Sequence, residues 1–158
     1  MAYLFYLPSL LCGLAISVED ARHRRVPVLW ALIGSVAQLV SNIVVAALGN
    51  SFFTVLQSIL FALLCTGVMA LLALVRSGGL GRNEITAMFP IGLAVGMCAL
   101  PAIIVWWLLM LAFGLAFTAC WKRFDPQRGT PYRGDVPFVP VIVVAAICAV
   151  AATTLYGM

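Results

Sequence analysis

Every charged side chain in this sequence, together with its one histidine, falls in one of three short stretches, and the long segments between them carry none. Glu19, Asp20, Arg22, His23, Arg24 and Arg25 form the first stretch. Arg76, Arg82 and Glu84 form the second, and Lys122, Arg123, Asp125, Arg128, Arg133 and Asp135 the third. Such a chain has too little polar surface to coat a water-facing core. Only 9% of its 158 residues are charged and 65% are hydrophobic, with a mean hydropathy of +1.15, against about 25% charged in ordinary globular proteins. The expected class is therefore an all-α, polytopic membrane protein forming a single domain over residues 1–158. The net charge of +4 is small enough to be a matter of membrane topology, and nucleic acid is not implied.

A spanning helix needs about 20 mainly apolar residues, and irregular backbone is excluded from lipid because its polar groups would go unpaired. Six segments qualify: 2–18, 26–48, 52–75, 85–100, 102–121 and 136–156. Turn chemistry separates them at Gly49-Asn50-Ser51, at Pro101 and in the two longer polar loops. The fourth segment is short, at roughly 24 Å of helix against a hydrocarbon core of about 30 Å. The first lacks a basic start and a small-residue cleavage site, so it reads as a permanent helix and not a secretory signal.

With six helices, all nine basic residues fall in the odd-numbered loops. The positive-inside rule then places those loops in the cytoplasm and both termini outside it. No ionisable residue lies at mid-bilayer depth, which argues against a proton-coupled transporter or pump. Gln38, Asn42, Gln57 and Ser58 are expected to hydrogen-bond between helices and not to line a solute path. Cys12, Cys65, Cys98, Cys120 and Cys148 show no C-x-x-C spacing and read as small packing residues; neither they nor the lone His23 suggest a metal site. No phosphate loop is present, and no serine or cysteine nucleophile motif.

The chemistry-bearing candidates are therefore acids. Asp125 and Asp135 sit among Pro, Gly and Arg, where turns and solvated ion pairs account for them. Glu19 and Asp20 end the first helix, where the macrodipole disfavours another negative charge. Glu84 opens the fourth helix behind "GGLGRN", and with Asn83 as N-cap it has an ordinary role in starting that helix.

At these acids the sequence resembles the type IV prepilin peptidases, six-helix aspartic peptidases grouped with the GxGD membrane proteases, and in particular the short form associated with tight-adherence pili. That family's first motif reads D-x-R-x-x-x-[IV]-P-N; here stands Asp20-Ala21-Arg22-His23-Arg24-Arg25-Val26-Pro27-Val28. Its second, G-G-x-G-x-G-D-x-K, corresponds to Gly78-Gly79-Leu80-Gly81-Arg82-Asn83-Glu84-Ile85-Thr86. A weaker likeness is "VPFVPVIVVAA" at the start of the sixth helix. Val28, Asn83, Glu84 and Thr86 depart from the family's Asn, Gly, Asp and Lys. The resemblance implies Asp20 and Glu84 as the catalytic pair, with neither metal nor cofactor. It implies, as substrate, a prepilin with a hydrophobic helix in the inner membrane and a basic leader at its cytoplasmic face. A non-catalytic relative serving as a scaffold or assembly factor is the alternative, on the strength of the altered "RNE".

Overall fold

The structure, a computed structural model, describes residues 2–75, 81–98, 100–124 and 136–156. Among these it is all-helical. A 3-10 turn over Ala2–Phe5 precedes α1 (Leu7–His23), α2 (Val28–Leu48), α3 (Phe53–Val75), α4 (Arg82–Gly96), α5 (Leu100–Phe124) and α6 (Val139–Tyr156).

The helix limits follow from local chemistry. The first helix begins at Leu7 and not at residue 2, because Pro8 has no N–H to give and is accommodated only in a first turn. Pro8 thus starts α1 and does not kink it. At the other end α1 runs past Val18 to His23, so Asp20 lies within its last turn. Arg24 closes it in the left-handed region at φ 55°, donating its N–H to Asp20 O at 3.0 Å. Pro27 is the N-cap of α2. The α2–α3 hairpin turns through Asn50, also left-handed at φ 49°, with Ser51 N donating to Ala46 O at 2.9 Å as in a Schellman closure.

Among the described residues three helices, α2, α3 and α5, are long and apolar enough to cross a membrane. Less than a third of the most apolar window of each is buried in the protein, and their outer faces show Leu32, Val36, Leu60, Leu64, Leu108 and Leu111. This is the surface of a membrane protein, on which lipid does the covering.

The shortest helix is the innermost. α4 packs against all five other α-helices, and residues 90–96 are buried without a break. Close approach depends on glycine. A Cβ on Gly92 would lie 2.9 Å from Ala62 Cα of α3. On α5, a Cβ on Gly114 would lie 2.9 Å from the ring of Phe138, which is thereby seated at the entry to α6.

Inside the bundle Gln38, Asn42, Gln57 and Ser58 are paired, as expected. Gln38 accepts from Ser9 N at 3.1 Å and donates to Asn42 Oδ1 at 2.9 Å and Phe5 O at 2.9 Å. Asn42 donates to Ser58 Oγ at 3.0 Å and to Leu93 O at 3.1 Å, and Gln57 donates to Gly96 O at 3.3 Å. Ser9 Oγ donates to Pro90 O. The five cysteines are free.

Gly92→Val, which forces a branched side chain into the α3–α4 seam, should cost about 1–3 kcal/mol. It should lower the melting temperature of the detergent-solubilised protein by several degrees. Gly67→Ala, where an added Cβ meets nothing within 4 Å, should leave it nearly unchanged. Equal melting of the two variants would show that the seam is not tight.

Candidate functional site

One end of the bundle gathers the last turn of α1, the first turns of α4 and α6, and the last turn of α5. Asp20 is placed there by the extension of α1 beyond its apolar stretch, and Glu84 by the start of α4. Both lie outside the apolar spans, yet Asp20 is only 2% exposed and Glu84 7%.

The start of α4 differs from the sequence expectation. Gly81, and not Asn83, is the N-cap, and Glu84 at the third helical position closes a capping box by accepting from Gly81 N at 2.6 Å. The reason is steric economy: the glycine adopts the extended cap backbone, and the longer glutamate reaches back to its N–H. Asn83 is thereby released from capping. Its Nδ2 donates to Asp20 Oδ1 at 3.2 Å and to Arg24 O at 2.9 Å, tying α4 to the end of α1 about sixty residues earlier in the chain.

The other carboxylate oxygen, Asp20 Oδ2, is buried and has no hydrogen-bond partner among the described residues. The backbone N–H of Val139, opening α6, is close enough to favour the charged carboxylate without completing a bond to Oδ2. Arg24 sets its guanidinium 5.5 Å from the centre of the Trp121 ring on α5, a cation–π contact. Trp121 in turn packs on Phe117, ring centres 5.3 Å apart. Phe117 lines an apolar groove of about 350 Å³ between α5 and α6, with Phe113, Pro140, Val141 and Val144.

Burial raises the carboxyl of Asp20 above its ordinary value, while the Asn83 amide, the Arg24 charge and the Val139 N–H pull it back. Burial likewise raises Glu84; its own backbone N–H, the Gly81 N–H and Arg24 oppose this, and the nearby charge of Asp20 adds to it. Glu84 therefore senses the charge of Asp20, and Arg24 acts on both. Two coupled carboxyls in a dry setting are equipped to exchange a proton with water or with a bound carbonyl.

Sequence reasoning singled out Asp20 and Glu84, and the structure brings them to one site. That reasoning does not single out the contacts of Arg24, one of the positive-inside arginines, or of Asn83, expected there as the N-cap. The i,i+4 spacing of Asp20 and Arg24 was the available signal for the first. Glu19 is elsewhere, paired with His23 Nδ1 at 3.0 Å on the outer face of α1. Gly78, Gly79, Leu80, Asp125 and Asp135 lie outside the described residues. Among the described residues no three His, Cys, Asp or Glu side chains converge as metal ligands.

The raised carboxyls have a thermodynamic consequence. The folded state holds these protons more tightly than the unfolded chain, whose carboxyls titrate near 3.8 and 4.5. Their contribution to stability is therefore complete below those values and is lost as pH rises through the raised folded ones. The double variant Asp20→Asn, Glu84→Gln should melt a few degrees above wild type at neutral pH, with the gap closing toward pH 4. A gap that widened on acidification would carry the opposite sign and refute the assignment.

No family model, curated protein or solved structure matches the chain.

Proposed function

We propose that this protein is an aspartic endopeptidase of the prepilin-peptidase type. It removes the leader of a type IV prepilin of the tight-adherence kind. In this reading all six helices cross the inner membrane, both termini face away from the cytoplasm, and the three charged loops face into it. The observation that carries the reading is the meeting of Asp20 and Glu84, both buried and electrically coupled, at the polar end of an otherwise apolar bundle. Added to it is the motif resemblance on both sides of that meeting point.

The chemistry needs two carboxyls and a water. One carboxylate takes a proton from water, and the hydroxide adds to the scissile carbonyl while the protonated partner donates to the carbonyl oxygen. Collapse of the adduct breaks the C–N bond, with a proton delivered to the leaving nitrogen. Burial and like charge favour the singly protonated pair from which such a cycle starts. The apolar groove between α5 and α6 lies beside Trp121 and the start of α6, a suitable berth for the substrate's hydrophobic helix. The basic leader would then extend into the cytoplasm past the acids.

A specific observation favours a second reading. Glu84 already has a structural task, closing the capping box at Gly81 N, and Asn83 ties α4 to α1 through Asp20. A scaffold that kept the fold and lost the reaction would retain both contacts.

Co-expression with candidate prepilins separates the two. Asp20→Asn and Glu84→Gln should each reduce leader removal by about 10²-fold or more, because each deletes half of a unit that works only as a pair. Glu84→Asp, which restores the family's residue, should keep or raise it. Normal processing by Glu84→Gln would remove Glu84 from the mechanism and leave the scaffold.

A further inference from the structure

The Asn83 amide contacts both the Asp20 carboxylate and the turn that follows it. Its two N–H donors are both used, one on Asp20 Oδ1 at 3.2 Å and one on Arg24 O at 2.9 Å. An amide nitrogen has two hydrogens in a fixed plane, so holding Arg24 O fixes where the second hydrogen points. The carbonyl it holds belongs to a residue in the left-handed region, φ 55°, whose own N–H returns to Asp20 O. Asp20 is thus gripped at its backbone carbonyl by Arg24 N and at its side chain by Asn83. Oδ2 is left without a partner among the described residues.

We infer that Asn83 is a positioning residue: it holds Asp20 by Oδ1, in its charged form, so that Oδ2 is the oxygen that exchanges the proton. This rests on the peptidase reading for its catalytic meaning, but the grip itself is independent of any reaction. The position is the one where the resembling motif has glycine, which has no side chain to make this contact. In this chain the contact therefore comes from the departure itself.

Among the described residues, the groups that face Asp20 come from three helix ends. Arg24 approaches from the end of α1, Glu84 from α4 and the Val139 N–H from α6. α2 carries no charged residue. Trp121 of α5 is neutral, and Glu19 and His23 are paired with each other on the outer face. A donor to the ionised carboxylate favours ionisation, so its removal must shift Asp20 toward the protonated form.

The test is direct titration of Asp20 in the full-length protein in detergent micelles. With [13C]aspartate labelling the chain gives three side-chain carboxyl signals, from Asp20, Asp125 and Asp135, and Asp20→Asn assigns the first. Asn83→Ala should move the Asp20 midpoint to higher pH. Asn83→Ser, too short to span both acceptors, should move it in the same direction and keeps the test open if the alanine variant folds poorly. With a prepilin that wild type cleaves, Asn83→Ala should lower kcat about tenfold or more, change KM less than twofold, and carry the acid limb of the rate profile upward. A purely structural Asn83 would lower the melting temperature and leave the Asp20 midpoint still, which would overturn the inference even where Asp20→Asn and Glu84→Gln abolish cleavage. A shifted midpoint in a protein that cleaves no prepilin would support the grip and count against the peptidase reading.

Discussion

A short helix enclosed by its neighbours must have its ends satisfied by protein, and the structure is organised around meeting that demand for α4. The helix has 15 residues, about 23 Å of rise, and packs against every other α-helix. The last four carbonyls of any helix lack intrahelical donors, and in an apolar bundle water is not at hand. Here Asn42 donates to Leu93 O and Gln57 to Gly96 O, while Met97 and Cys98 tighten the last turn onto Ala94 and Val95. At the other end Glu84 takes the Gly81 N–H. The amides of α2 and α3 thus fix the depth of α4, and that depth decides where its first turn meets α1.

The carboxyl pair follows from this placement. α1 overruns its apolar stretch by about one turn, carrying Asp20 to the first turn of α4, and the left-handed Arg24 turns the chain back so that its carbonyl receives Asn83. Phe138, seated on Gly114, brings the start of α6 to the same point. Each contribution is a local backbone decision, yet together they produce two acids that are dry, near one another and near one cation. Such an arrangement costs stability, since burial raises both carboxyls, and groups held against such a cost are characteristic of sites that do chemistry.

Much of this was legible in the sequence, for reasons that can be stated residue by residue. Uninterrupted apolar stretches set six helices, with limits displaced by Pro8 and by the overrun of α1. Gln38, Asn42, Gln57 and Ser58 stood out because amides and hydroxyls inside apolar helices must find partners. Asp20 and Glu84 stood out because the motifs around them resemble a known pattern and because their charges open or close helices. What the sequence did not disclose was which helix is central: the hydrophobic pattern of α4 is no stronger than that of its neighbours. Its burial comes from Gly92 and Gly96 meeting Ala62 and Ser58 across a seam. Nor did it disclose the task of Asn83, because choosing between Gly81 and Asn83 as N-cap depends on a one-residue difference in where the helix begins.

The central claim is that Asp20 and Glu84 form one electrostatic unit. The chain has two glutamates, Glu19 and Glu84, so [13C]glutamate labelling yields two side-chain carboxyl signals that can be followed against pH. In Asp20→Asn the Glu84 midpoint should fall, because the charge that helps to raise it is gone. Glu19→Gln assigns the two signals. A Glu84 midpoint identical in wild type and Asp20→Asn would mean that the two acids do not sense each other, and the account of a carboxyl pair would fail.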